Sequence, residues 1–173
     1  VIGIPSLKLL YKMDEILEIL TDDARRTPEE IAKLTGQKVD LVKQTIKEYE
    51  KNGTIVKYKT VVNEDLLPES GSLVRAIIEV SIHPQKDVGF DQVAERIYNF
   101  PEVKSCYLVS GPYDLLVMVE GENIQTVSNF IASKLAPLEH VRGTSTHFLL
   151  KKYKEDGQIF KKGNHRKRLA TSY

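Results

Sequence analysis

Residues 27–58, TPEEIAKLTGQKVDLVKQTIKEYEKNGTIVKY, decide the fold. Thr27, Pro28 and Glu30 make a capping box, with threonine as N-cap, proline at the first helical position and glutamate at the third. Ile31 and Leu34 then supply the apolar face of a helix of about two turns. Gly36 permits the sharp reversal that a short helix-to-helix connection needs. Val39, Val42, Ile46 and Tyr49 fall at i, i+3, i+7 and i+10, one continuous stripe. Gly53 is placed as a C-terminal stop, and residues 54–62 turn β-branched and extended. Helix, tight turn, helix and a following strand predict a winged helix-turn-helix, with DNA as the first partner to test.

Two amphipathic helices joined by a glycine also occur in domains that bind no DNA, so the surface of the second helix has to decide. With its stripe inward, the outward arc holds Asp40, Leu41, Gln44, Lys47, Glu48 and Lys51, and Lys38 and Lys43 sit on opposite flanks. Gln44 suits an adenine edge, and Lys43, Lys47 and Lys51 suit phosphates. Asp40 and Glu48 repel the duplex. Lys38, Asp40, Lys43, Gln44, Lys47 and Lys51 are the candidate DNA-facing residues.

Bulk charge adds little to this. The 173 residues carry a net charge of +1, so non-specific attraction to a polyanion is small. The length suits one domain or two small ones, and the apolar and charged fractions are those of an ordinary globular protein. No apolar run approaches membrane-spanning length and the start lacks a signal-peptide layout, which together point to the cytoplasm. Val1 reads as a trimmed terminus, with Met13 as a natural start. A single cysteine, Cys106, excludes a disulfide framework and reads as a small buried apolar residue.

Leu9, Met13, Ile16, Leu17 and Leu20 form a first amphipathic helix, giving the three helices such a core requires. Residues 63–72, with Pro68 and Gly71, break the periodicity and read as a hinge. Beyond it Val74, Ala76, Ile78, Val80 and Ile82 alternate along a strand, with Arg75, Ile77 and Glu79 on the other face. Phe90, Val93, Ala94 and Ile97 make a helix stripe. Strands follow at 103–110 and 115–120 about a Gly111-Pro112 turn, then a helix on Ile124, Val127, Ile131 and Leu135 and a strand at 141–152. The order β-α-β-β-α-β predicts a ferredoxin-like sandwich, so the chain is α+β throughout. The expected domains are 1–62, the hinge 63–72, the sandwich 73–154 and a polar tail 155–173, basic at Arg166-Lys167-Arg168 and read as disordered. Ile77, Leu108, Val117 and Phe148 exceed what two helices can cover, which predicts a homodimer through the sheet.

At this point the residues carry a family resemblance. DDARRTPEEIAKLTGQ followed by VKQTIKEYEKNGTIVKY, then VSGPYDLLVMVEG, then VRGTSTHFLLKKYK, resemble in one register the Lrp/AsnC (feast/famine) family of transcription regulators. The likeness spans roughly Met13 to Lys154. It implies DNA binding by the second helix, an amino-acid effector bound between subunits near the 110–114 turn, and assembly as a homodimer or an octamer. Departures are visible. Gln37 and Lys38 stand where the family has leucine and a capping serine, Thr45 where it has arginine, and Tyr49 where it has leucine.

The turn Ser110-Gly111-Pro112-Tyr113-Asp114 is the site candidate of the second half. From residue types alone it reads more readily as a plain hairpin turn, with Tyr113 packing and Asp114 starting the strand. With the resemblance, Asp114 pairs with the effector ammonium and backbone N–H groups around Gly111 and Tyr113 receive its carboxylate. Ser110, Thr144 and Thr146 offer hydroxyls, although both threonines also read as ordinary outward strand residues. His83, His140, His147 and His165 lack zinc-ligand spacing, and no phosphate loop or nucleophile motif occurs, so no cofactor is implied. Two other readings stand beside the regulator. One is an enzyme on the same scaffold, like the haem-pathway decarboxylases, which should gather histidines and arginines around a cavity. The other is a ligand sensor without DNA binding.

Overall fold

The computed structural model describes residues 14–67, 73–83 and 89–160. The chain divides into two compact units, residues 1–60 and 61–173. No helix among the described residues is long and apolar enough to cross a membrane.

The first unit is three helices: α1 (Glu15–Asp22), α2 (Pro28–Thr35) and α3 (Val39–Lys51). Asp14 caps α1, its Oδ1 accepting the Ile16 N–H at 2.7 Å. The capping box of α2 is complete: Glu30 N–H donates to Thr27 Oγ1 at 3.2 Å and Thr27 N–H to Glu30 Oε2 at 2.9 Å. Gly36 ends α2 at φ 70°, a left-handed conformation that a side chain would strain, and so turns the chain into α3. Ile16, Leu20, Ile31, Ala32 and Val42 form the core, with Ile19, Val39, Ile46 and Ile55 packed around it.

Two expectations for this unit change. Leu34 is 64% exposed and lies outside the core, because the adjacent Ile31 and Ala32 fill the inward face of the short α2 and rotate Leu34 to solvent. The extended run 54–62 forms no ladder among the described residues. Among the described residues its unit holds no second strand to receive its N–H and C=O groups; instead Ile55 N–H folds back onto the Tyr49 carbonyl at 2.9 Å. Leu9 and Met13, assigned to the first helix, lie outside the described residues.

The second unit is built from β1 (Val74–Ile82), α4 (Gly89–Tyr98), β2 (Val103–Leu108), β3 (Leu115–Gly121), α5 (Ile124–Phe130) and β4 (Val141–Phe148). The sheet runs β2-β3-β1-β4, all antiparallel, which is the ferredoxin-like order. Ala76, Ile78, Val80 and Ile82 point to one face, where Val93 and Ile97 of α4 and Val127 and Phe130 of α5 cover them. The burial of β1 alternates without a break from Ala76 to Ile82. The helix α5 continues into a π-helical turn over Ile131–Leu135.

The register corrects the interface set. Val117 pairs with Ile78 and Cys106 and is fully buried beneath the helices. Phe148 pairs with Ala76 and packs on the same core, and the exposed Leu108 sits at the end of an edge strand on that side. Of the four proposed interface residues only Ile77 lies on the open face, where its neighbours are Met118 and His147. Leu116 and Tyr107 continue that face across β3 and β2. Ile124, the first residue of α5, is exposed rather than inward, and the π turn spaces the buried Phe130 and Leu135 five residues apart.

Both ends of the sandwich also differ. Within the expected hinge, Glu64–Leu66 form a 3-10 turn tied to the sheet, and Pro68–Ser72 lie outside the described residues. The last strand stops at Phe148 instead of continuing to Lys152. The tail does not begin as disordered chain. Lys154–Glu155 (β5) and Gln158–Ile159 (β6) pair as a small hairpin about Asp156-Gly157, both with positive φ. An Asp-Gly pair is a strong two-residue hairpin signal, and the polarity of the flanking residues concealed it. His165 and Arg166-Lys167-Arg168 lie outside the described residues.

Candidate nucleic-acid interface and effector site

Helix α3 is tied down at its C-terminal end and not at its N-terminal one. Lys38 stands at the N-cap and provides no side-chain cap, so a serine there would add about 1 kcal/mol of helix stability. At the other end the Tyr49 hydroxyl donates to Asp14 Oδ2 at 2.8 Å, and Tyr58 donates to Glu50 Oε1 at 3.0 Å. The Asp14 contact raises the Tyr49 phenol above its ordinary value. One carboxylate therefore caps α1 and anchors α3. Tyr49 in place of leucine was legible only as a departure from the family; its partner is 35 positions away in sequence.

The outward arc is arranged as the periodicity requires. Lys38, Asp40, Leu41, Lys43, Gln44, Lys47, Glu48 and Lys51 are all exposed. They differ in availability. Lys43 Nζ is 2.8 Å from Glu29 Oε1 on α2, and this contact holds the ammonium above its ordinary value and the carboxylate below its own. A phosphate would have to displace Glu29 to reach Lys43. Thr45, where the family carries arginine, turns its hydroxyl inward to donate to the Leu41 carbonyl at 2.9 Å. Gln44, Lys47 and Lys51 have no side-chain partner among the described residues. Gln44 stands at the centre of the arc, with Lys47 and Lys51 following it toward the C-terminus of the helix.

In the second unit the 110–114 turn is held by its last residue. Asp114 N–H donates to the Val80 carbonyl at 3.0 Å, its carbonyl accepts Val109 N–H at 2.9 Å, and its Oδ2 accepts Ile82 N–H at 2.7 Å. The β1–β3 ladder ends at Val80 and Leu115, so Asp114 satisfies the Ile82 N–H that lies beyond its end. Sequence reasoning left Asp114 either to the ligand or to the start of the strand. The structure gives one oxygen to the strand and leaves Oδ1 without a partner among the described residues. Ser110, Gly111 and Pro112 are exposed and Tyr113 is half-buried. Gly111 has φ 154°, a conformation few other residues adopt.

The threonines are not assembled with this turn inside one subunit. Thr144 pairs with Val80 and Thr146 with Ile78, on the helix-covered side of an edge strand and half-buried. The strand β1 lies between Thr144 and Leu115, so two strand spacings, roughly 10 Å, separate Thr144 from the turn. They are not the outward threonines of the sequence reading.

Sequence reasoning also missed an ionic chain at the far end of the sheet. Arg75 donates to both carboxylate oxygens of Glu64 at 2.7 Å each and to Glu120 through its Nε. Lys152 lies 3.6 Å from Glu64 and 3.0 Å from Glu155. The Arg75 guanidinium, 17% exposed, holds the Glu64 carboxyl below its ordinary value. A cleft of about 380 Å³ opens there, lined by Val62, Leu73, Arg75, Phe148, Lys152 and Phe160 among others. Arg75 and Lys152 are already paired with carboxylates, and Lys151, which also lines it, lies over the Tyr153 ring. No group of three or more His, Cys, Asp or Glu side chains among the described residues could hold a metal ion. Cys106 is half-buried on β2, and burial pushes its thiol up.

Comparison with known proteins bears on both units. Residues 15–56 match the winged helix-turn-helix DNA-binding family, and residues 75–159 match the Lrp/AsnC ligand binding domain. The chain is 44% identical over 166 residues to the uncharacterized HTH-type transcriptional regulator YugG of Bacillus subtilis, covering 96% of this chain and 99% of that one. Among solved structures it resembles a transcriptional regulator of Neisseria meningitidis in complex with L-Met, at TM-score 0.62 and 24% identity, covering 82% of this chain and 89% of the other. It also resembles the feast or famine regulatory protein of M. tuberculosis complexed with L-methionine, at TM-score 0.64 and 23% identity, covering 84% and 95%. These two likenesses carry the fold.

Proposed function

The chain belongs to the Lrp/AsnC family of transcription regulators, and from that premise we propose that α3 reads double-stranded DNA while the 110–114 turn takes a free amino acid that adjusts the reading. The observation that carries the DNA half is the exposed arc centred on Gln44, with Lys47 and Lys51 unpaired and Lys43 committed to Glu29. The candidate contacts are Gln44 to an adenine edge and Lys38, Lys47 and Lys51 to phosphates. Asp40, in the first turn of α3, carries negative charge toward the duplex and is left out of the contact set.

The effector half is supported by the geometry of Asp114. Its Oδ1 can take an ammonium without loosening the strand that Oδ2 holds, and backbone N–H groups of the same turn, at Gly111 and Tyr113, are the candidates for the carboxylate. Two structural neighbours bear L-methionine, an apolar amino acid, which makes apolar amino acids the first class to try. Because Thr144 and Thr146 stand apart from the turn, they join such a site only from another subunit. We place the homodimer contact on the open face formed by Ile77, Leu116, Met118 and Tyr107, with further association to an octamer, and the protein in the cytoplasm.

Substitutions on α3 test the DNA half. Gln44→Ala should relax preference at one base pair by about 1–3 kcal/mol. Lys47→Ala should weaken all sequences alike and reduce the salt slope by about one counterion. Lys43→Ala should do less than Lys47→Ala, since Glu29 already holds that charge. Filter binding across a salt series reads all three. Binding indifferent to both Gln44→Ala and Lys47→Ala would remove α3 as the reader.

A further inference from the structure

A recognition helix meets base edges with its N-terminal residues, and few side chains in the first two turns of α3 remain available for that task. Lys43 is held by Glu29 at 2.8 Å. Thr45 points its hydroxyl back to the Leu41 carbonyl. Asp40 carries negative charge toward an anionic duplex. Two exposed side chains remain one turn apart, Leu41 and Gln44. Leu41 is 51% exposed on a helix otherwise crowded with charge, and it takes no part in the core of its unit.

We propose that Leu41 is a specificity-determining residue that packs on the C5-methyl group of a thymine in the major groove, beside the base addressed by Gln44. The assignment rests on α3 being the recognition helix. An isobutyl group has neither donor nor acceptor. Of the four bases only thymine presents a methyl group in the major groove, so only thymine offers it apolar contact. Against the amino group of cytosine or the N7 of a purine, Leu41 strips water from a polar edge and returns no hydrogen bond. It therefore selects by attraction at thymine and by cost elsewhere. One helical turn advances about 5.4 Å, and successive base pairs are about 3.4 Å apart. Leu41 and Gln44 thus fall on base pairs one or two steps apart. With Gln44 suited to adenine, the pair specifies a short A·T-containing patch in the site.

The test uses the full chain and a duplex recovered by selection from a random-sequence pool. Each thymine is replaced in turn by deoxyuridine, which deletes the methyl group and leaves every hydrogen-bonding edge intact. The wild type should lose about fourfold in affinity at one or more thymines, the ratio expected for losing one buried methyl group. At those positions Leu41→Ala should bind the thymine and uracil duplexes alike, whereas Gln44→Ala should still distinguish them. Leu41→Ala should unfold at the wild-type temperature, because Leu41 lies outside the core. Wild-type binding that ignores deoxyuridine everywhere overturns the Leu41 assignment and leaves α3 as the reader. Discrimination retained in Leu41→Ala overturns it as well. A selection that recovers no sequence overturns both.

Discussion

Lysine in place of Val117 is expected to unfold the second unit, whereas lysine in place of Met118, the next residue, should leave it folded. Val117 is fully buried between Ile78 on β1 and Cys106 on β2, beneath both helices. An ammonium there has no partner and no water, which should cost about 4 kcal/mol or more, a large part of what a domain of this size has. Met118 points the other way, opposite Ile77 and Ser105 on the open face. Met118→Lys should change the stability of the isolated fold by about 1 kcal/mol or less. Its effect should appear in sedimentation, where the proposed dimer splits. Urea unfolding and sedimentation on both variants check the pair. A folded Val117→Lys would mean that β3 faces the opposite way. An unchanged sedimentation coefficient for Met118→Lys would remove the open face as the dimer contact.

Arg75→Met should be the second large effect, about 2–3 kcal/mol of stability lost at neutral pH. Removing one member of a buried ion pair costs several kcal/mol, and the partial exposure of Glu64 lowers that figure here. Methionine keeps the length of the stem and takes away the charge that Glu64 and Glu120 share. The pH dependence has a definite sign. Arg75 stays charged throughout, and it holds the Glu64 carboxyl below its ordinary value of 4.5. A depressed carboxylate contributes stability that is present above its unfolded pKa and is lost as pH falls through the folded one. Wild-type stability should therefore decline below about pH 4.5, with Arg75→Met flatter over the same window. Urea midpoints through that range decide it, and parallel curves for the two proteins would show that the contact adds nothing. Hydrogen exchange should also quicken in the turn Glu64–Leu66, which Arg75 ties to the sheet.

What could be read from the sequence was local. The capping box of α2, the left-handed Gly36 and the alternation of β1 each state their geometry within a few residues, and all three are present in the structure. The side of the sheet that Val117 faces could not be read in this way. Leu115 to Val119 is apolar at every position, so alternation has no polar partner to set its phase. The bond from Asp114 to Val80 sets it instead. Helix α5 misled for a different reason: its last turn is π-helical, and a 3.6-residue period does not pass through a five-residue step.

The site was partly legible. The outward arc of α3 follows from its inward stripe, but the pairing of Lys43 with Glu29 depends on how α2 and α3 pack. Asp114 was visible as a charge beside a Gly-Pro turn, while its bond to Ile82 N–H depends on where the β1–β3 ladder ends, which no local pattern announces. The chain from Glu64 through Arg75 to Glu120 joins residues up to 56 positions apart, and a lone arginine within an apolar strand was the only trace of it.

The most direct measurement is the affinity of the full chain for a selected duplex, taken by fluorescence anisotropy with each of the twenty amino acids present in turn. Coupling between two sites appears as a shift of about 5- to 150-fold in apparent affinity. At least one amino acid should produce such a shift in the wild type. Asp114→Asn keeps an acceptor for Ile82 N–H and removes the charge, so it should blunt the shift while leaving effector-free affinity within about twofold. No shift with any amino acid would contradict control of this reader by an amino acid, and an undiminished shift in Asp114→Asn would place the effector away from the turn.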